Sequence, residues 1–441
     1  MTAPASADRV LGRGSLTGLV LNSVVGSGVF VLPGTIAGIL GWQAMGAWGA
    51  AAIVMGIMIA CFAEVASRFN GAGGAYLYTQ AAFGPFVGIQ MAWLTYFSRT
   101  VSAAAQANLF TTALAEFFPW AATRTGQVSL TTIFIGTLAA INIRGTGAGA
   151  QTSNAFAIIK IAALSVFAAA GLGFLASGYS TMHTNPTDPT LHGWLSTFLL
   201  LVFAYGGFEG ALIPMAEAKD PRRDAPRALL TGFALVIVLY LGVQLAVLVM
   251  VQDAAHAPRP LALAARHMAG APGAVAMTVL VVASVYGWMA SNMLNMPRLT
   301  AALAHDGVLP RVLGTLHPRF RTPWASIVLF AVVSWSLALT AGLLQNVSLA
   351  AVARLVPYAG VCLTLVVMRR REARGESLGG AESARFTLPA GNVVGVLGVV
   401  FALVIAAQMN GRELVSMLVL VTAAALHWAS SRRRASGAAA A

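Results

Sequence analysis

Charge is what this sequence has least of. Only 9% of its 441 residues are Asp, Glu, Lys or Arg, against about 25% in a soluble globular domain. Apolar residues make up 58%, and the mean hydropathy is +0.77. Such a chain has too few charges to clothe a water-soluble globule, so its partner is the lipid bilayer. Acids are scarcer still, 14 against 27 Lys and Arg, for a net charge of +13. Two cysteines, Cys61 and Cys362, sit in separate apolar runs, which excludes a disulfide framework and suits small core residues. The 7 histidines are scattered, mostly in loops, so no metal site and no cofactor is expected. The basic excess does not argue for nucleic acid, because membrane proteins concentrate Lys and Arg in cytoplasmic loops. The stretch before Arg13 is short and polar, without the small-residue cleavage pattern of a secretory signal, and is expected to be retained.

What is there is a succession of apolar runs long enough to cross a bilayer, for which about 20 residues are needed. They predict an all-α integral membrane protein with about twelve spans, near 15–40, 43–67, 84–112, 128–143, 153–176, 194–217, 226–251, 272–300, 323–343, 346–368, 391–409 and 412–430. An even number puts both termini on one side. With that side cytoplasmic, twenty of the Lys and Arg fall inside, among them Arg13, Arg68, Arg222, Arg369 and Arg432, and only Arg124, Arg259, Arg266 and Arg412 outside. That asymmetry sets the orientation and places the chain in the cell inner membrane with cytoplasmic termini.

Two of the spans are interrupted. The first carries Val25-Gly26-Ser27-Gly28-Val29-Phe30 at its centre, and the sixth carries Gly206-Gly207 followed by Phe208-Glu209. Lipid offers no partner for backbone freed by such a break, so both breaks belong inside a bundle. A plain glycine kink for close packing is the blander reading of either one. Interruptions at corresponding places in two halves point instead to inverted repeats that bind a solute between the breaks. The predicted organisation is a tail over 1–14, a first repeat over 15–176 and a second over 194–368. Helices over 389–430 and a cytoplasmic tail over 431–441 complete it.

Four motifs, in order along most of the chain, carry a resemblance: Gly26-Ser27-Gly28-Val29-Phe30-Val31-Leu32-Pro33; Gly73-Gly74-Ala75-Tyr76-Leu77-Tyr78; Tyr205-Gly206-Gly207-Phe208-Glu209 with Pro221 and Pro226 beyond; and Arg298 through Ala304-His305-Asp306-Gly307-Val308-Leu309-Pro310. They resemble permeases of the amino acid–polyamine–organocation superfamily, which share the five-plus-five inverted-repeat fold of LeuT. One departure is Asn70, where the family often has proline. The resemblance implies sodium-independent secondary transport of an amino acid substrate by alternating access, with symport of a proton and exchange (antiport) both open. It further implies that backbone amides of the Val25–Val29 segment, those of Ser27, Gly28 and Val29 above all, hold the substrate carboxylate. Carbonyls of Phe203, Ala204 and Tyr205 would take its amino group, and Tyr205 and Phe208 become gate or pocket aromatics.

Charges at membrane depth are costly and count as functional candidates by default. Lys160 resembles the lysine that, in sodium-independent members, stands where relatives hold an ion. It either braces the broken first helix through its carbonyls or carries a coupling proton, since a buried lysine readily loses its charge. Snorkelling to the cytoplasmic edge is the structural alternative. Glu209 is a gate, or a carboxylate stabilising the start of the half-helix that follows. Arg99 and Arg354 find few intramembrane acids to pair with, so with Lys160 they make the cavity positive. That favours neutral or acidic amino acids, with Arg99 a substrate-binding candidate, over the alternative of an amine, polyamine or cationic amino acid antiporter. Asn292 and Asn295 read as interhelical hydrogen-bonding residues, and the sequon Asn346-Val347-Ser348 as a chance match. No Ser–His pair or ligand cluster at membrane depth suggests an enzyme.

Overall fold

The computed structural model describes residues 12–71, 73–145, 149–179, 186, 188–305 and 309–440. Arg9, Ala72, Asp306, Gly307 and Val308, which belong to the segments and motifs above, lie outside the described residues. Within them the chain is almost wholly helical. The helices are α1 (Arg13–Val24), α2 (Gly28–Leu40), α3 (Gln43–Ala66), α4 (Ala75–Phe83), α5 (Pro85–Leu114), α6 (Arg124–Arg144) and α7 (Gly149–Ala176). They continue as α8 (Leu191–Tyr205), α9 (Pro221–Met250), α10 (Pro260–His305), α11 (Trp324–Thr340), α12 (Leu343–Ala373), α13 (Gly391–Ala406) and α14 (Gly411–Ala440).

Among the described residues eight helices are individually long and apolar enough to cross a membrane, and α1 with α2, bent by 47°, makes a ninth. Of the remaining long helices, α5 has a centre made polar by Arg99 and its neighbours, and α11 and α13 are apolar but shorter. At 16–17 residues these last reach about 25 Å at 1.5 Å per residue, just under the bilayer core. Large apolar side chains stand exposed around the bundle, such as Ile53, Val166, Val238 and Leu426, as they do when the surrounding solvent is lipid.

Three details depart from the sequence expectation. The second half of the sixth span, Phe208–Glu217, winds as a 3₁₀-helix rather than an α-helix. A helical piece from Pro260 precedes the eighth span and is separated from it at Ala269 and Gly270, where Gly270 adopts φ 69°. The last helix does not stop near 430 but continues through the basic tail to Ala440.

The packing repeats under a shift of five spans. The α5–α12 contact has its counterpart in α10–α7, α1–α9 in α8–α3, and α5–α11 in α10–α6. Likewise α12–α3 answers α7–α9, and α12–α8 answers α7–α1. The α1/α2 and α8/3₁₀ breaks are therefore brought face to face, each backed by the fifth helix counted from its own.

The ends of α3, α9 and α12 that carry arginines meet at one end of the bundle, hereafter the basic end. Buried Glu64 there accepts from both Arg369 Nε (2.7 Å) and Nη2 (2.5 Å), and from the Leu388 amide at 2.7 Å. The connector between α12 and α13 is tied down further by Glu382, which pairs with Arg222 and accepts from Asn70 Nδ2 at 2.8 Å. Asn70 thus has a structural partner of its own at the position where the family pattern has proline.

Candidate functional site

The last turn of α1 leaves carbonyls that no helical N–H reaches. All of them find side-chain donors. Lys160 Nζ, from α7, donates to Asn22 O at 3.2 Å and to Val25 O at 2.5 Å. Trp288 Nε1, from α10, donates to Ser23 O at 3.3 Å, and Tyr240 OH, from α9, to Val24 O at 3.2 Å. Lys160 is 1% exposed, so it does not snorkel; it is the cation that the negative end of the half-helix attracts.

Beyond this cap the chain turns through Gly26 and Ser27 into α2. A Cβ on Gly26 would come within 2.7 Å of Gln106 Nε2, and one on Gly28 within 3.0 Å of Ala204 Cα. The two broken spans approach closely at Gly28, where an added side chain would make Ala204 give way. The amides of Gly26, Ser27, Gly28 and Val29 have no acceptor among the described residues, and the Ser27 hydroxyl is buried without a partner. Unpaired N–H groups at the positive start of a helix make an anion site.

The second break is built in mirror fashion. Arg354, on α12, donates from Nη1 to Phe203 O at 3.1 Å, lies 5.1 Å from the Phe203 ring, and reaches Ser98 and Ser102 hydroxyls at 3.1 and 2.8 Å. It caps α8 as Lys160 caps α1, from the corresponding helix. Tyr240 OH also lies 3.3 Å from Ala204 O, so one hydroxyl sits between the ends of both half-helices. Of the three carbonyls expected to hold an amino group, Phe203 O and Ala204 O already face protein donors, and Tyr205 O is the one with none among the described residues.

Glu209 is held on every side. Its Oε1 lies 3.2 Å from Arg99 Nη2 and 3.7 Å from Arg354 Nε; its Oε2 accepts from Tyr358 OH at 2.7 Å and from the Gly207 amide at 3.0 Å. The few intramembrane acids open to Arg99 and Arg354 come down to this one: a single carboxylate serves both, because the 3₁₀ turn after Gly207 points it back towards α5 and α12. Arg99 also donates to Gly207 O at 2.5 Å. Its Nε has no acceptor, and the side chain borders a polar cavity with Asn22, Ser23, Trp288, Asn292 and Asn295. Asn292 hydrogen-bonds Arg99 O at 3.3 Å, across helices as expected.

The two candidate gate aromatics stand elsewhere. Tyr205 donates to Trp48 O at 3.2 Å within a cluster of Trp48, Tyr240 and Phe233. Phe208 packs between Phe62 and Tyr358 with ring centroids 5.0 Å from each. Neither borders the polar cavity. Asn346 of the sequon is fully buried and bonded to Asn108, which leaves no room for a glycan.

A match to the amino acid permease family model extends over residues 11–425. The chain belongs to that family. It is 29% identical over 393 residues to an uncharacterized transporter of Mycobacterium tuberculosis, covering 82% of this chain and 81% of that one. It is 25% identical over 387 residues to the methylthioribose transporter of Bacillus subtilis, covering 82% of each. To the serine/threonine exchanger SteT of the same organism it is 26% identical over 320 residues, covering 70% of this chain and 72% of the exchanger. The protein is therefore a membrane transporter of amino acids or related solutes and not an enzyme.

Four residues around the candidate site carried no usable sequence signal. Tyr240, Tyr358, Gln106 and Trp288 look like ordinary members of apolar helices until the fold turns them onto the breaks. For Tyr240 the consequence is measurable. Tyr240→Phe removes the one donor shared by Val24 O and Ala204 O, which should cost about 1–3 kcal/mol as a buried acceptor left unmade. A drop in Tm of the purified protein, with solute affinity falling alongside, is the expected result.

Proposed function

We propose that this permease carries neutral or acidic amino acids across the cell inner membrane by alternating access, independently of sodium. The carrying observation is the set of unpaired amides at Ser27, Gly28 and Val29, opposite the α8 break, with Lys160 neutralising the carbonyl end of the same broken span. A carboxylate docked on those amides would satisfy them. Tyr205 O is then the acceptor left for the amino group. On this reading the repeats run over 15–176 and 194–368, helices 389–430 lie outside them, and both termini, with the basic end, face the cytoplasm. The exchanger among the relatives supports neutral substrates and exchange; proton symport through Lys160 is the other coupling the site allows.

An amine or polyamine antiporter finds no support in the site. Among the described residues the one acid beside the breaks is Glu209, and its oxygens are already taken by Arg99, Arg354, Tyr358 and Gly207. Uptake of a radiolabelled panel into proteoliposomes, with a proton gradient, a sodium gradient or counter-substrate inside, tests the assignment. Neutral or acidic amino acids should accumulate without sodium. Transport confined to lysine or putrescine would overturn the charge reasoning, and no transport of any amino acid would overturn the substrate class. Arg99→Ala should lower uptake of acidic amino acids relative to neutral ones by about tenfold, the loss of one charge-assisted contact. An unchanged profile would remove Arg99 from the substrate site.

A further inference from the structure

The basic end holds a groove whose charges do not balance. It is formed by Arg222, Arg223, Pro226 and Arg227 at the start of α9, with Arg385 and Phe386 from the α12–α13 connector. Three acids stand around it, and each is already engaged. Asp220 pairs with Arg385 at 3.2 Å, Asp224 with Arg13 at 2.7 Å, and Glu382 with Arg222. Arg223 and Arg227 are left exposed, with no acceptor for either side chain among the described residues.

Their positions are unfavourable for two cations. Four residues apart on one helix, they face the same way and repel. Both lie in the first two turns of α9, where the helix dipole is positive. A preference for basic residues on one side of a membrane accounts for arginines at this end. It does not account for two of them aligned over a groove lined by two further arginines and an aromatic ring.

The surface below says what covers them. Arg223 and Arg227 begin a continuous exposed stripe along α9 that runs on through Thr231, Leu235 and Val238, the last two 55% and 73% exposed. At spacings of four and three these positions share one helix face. That face passes without interruption from arginine to aliphatic side chains, as the headgroup and acyl chain of a lipid do.

We infer that this groove binds the phosphate of an anionic phospholipid, held by Arg223 and Arg227 with Arg385 alongside, its acyl chain lying over Leu235 and Val238. A basic pocket at the membrane surface is a recurrent setting for such headgroups. The inference needs only that the bundle lies in a bilayer; it is independent of which solute is carried.

The test uses the full chain in nanodiscs of phosphatidylcholine, with or without phosphatidylglycerol, reading Tm and lipid retention by native mass spectrometry. Phosphatidylglycerol should raise Tm and stay bound. Each arginine near the surface contributes roughly fivefold in lipid affinity, so Arg223→Gln with Arg227→Gln should weaken retention about 25-fold. Tm in phosphatidylcholine alone should not fall and should rise slightly, since neither side chain has a protein partner to lose and their mutual repulsion is relieved. Arg311→Gln with Arg319→Gln removes the same charge from exposed positions elsewhere and should leave retention intact. Equal loss in that control, or undiminished retention in the first variant, overturns the site. Inorganic phosphate that raises Tm as well as phosphatidylglycerol does, in the absence of the lipid, overturns the assignment to a lipid.

Discussion

Lys160→Ala should abolish solute uptake while leaving a protein that still inserts. The substitution withdraws the donor to Asn22 O and Val25 O and leaves both carbonyls buried in apolar surroundings. Charge-assisted hydrogen bonds contribute about 1.5–3 kcal/mol each, so the conformation that presents the Ser27–Val29 amides should lose at least tenfold in population, every 1.4 kcal/mol being about a factor of ten. Lys160→Arg separates the two roles that a lysine can play here. Arginine keeps its proton at any accessible pH. If Lys160 is a brace, the arginine variant retains uptake and its pH profile. If it carries the coupling proton, the variant binds solute yet no longer responds to a proton gradient. Wild-type uptake by Lys160→Ala would remove the residue from the mechanism altogether.

Glu209→Gln is expected to be the most damaging single change at the second break. The shape is nearly conserved, but Arg99 and Arg354 would then face each other without an anion, at 3.2 and 3.7 Å from where the carboxylate was. Removing one partner of a buried ionic cluster costs about 3–5 kcal/mol, enough to consume a large share of a domain's stability. Tm should fall sharply and uptake should vanish. Arg354→Gln should be milder, because it leaves the Arg99–Glu209 pair intact and the hydroxyls of Ser98 and Ser102 free to pair again. The order of the two variants is the informative result. If Glu209→Gln behaves like wild type while Arg354→Gln does not, the side chain works as a neutral, proton-bearing gate rather than as the anion that holds two arginines together.

Residue identity by itself determined the solvent, the all-helical class and the place of both breaks. Those are one-dimensional facts: a bilayer imposes a fixed run length, and it forbids unpaired backbone wherever the chain meets lipid. It also marked Lys160, Glu209, Arg99 and Arg354, since a charge in an apolar run is conspicuous without coordinates. What it could not carry was pairing. Arg99 and Glu209 are separated by more than a hundred residues, and only tertiary packing puts them within 3.2 Å.

The same limit hid the identity of the donors. Tyr240 lies in an apolar helix with nothing to distinguish it from Tyr286, yet its hydroxyl stands between Val24 O and Ala204 O. The resemblance made Tyr205 and Phe208 gate or pocket aromatics, and the fold sets both rings in packed aromatic clusters. Hydrophobic periodicity says how deep a residue lies, and a break says where backbone groups go unpaired. Which side chain then reaches those groups depends on the rotation of each helix about its axis, and that is set by packing against neighbours far away in sequence. The sequence therefore determined that two half-helix ends had to be satisfied. Tertiary structure decided that Lys160 and Arg354, on corresponding helices of the two halves, would be the residues to do it.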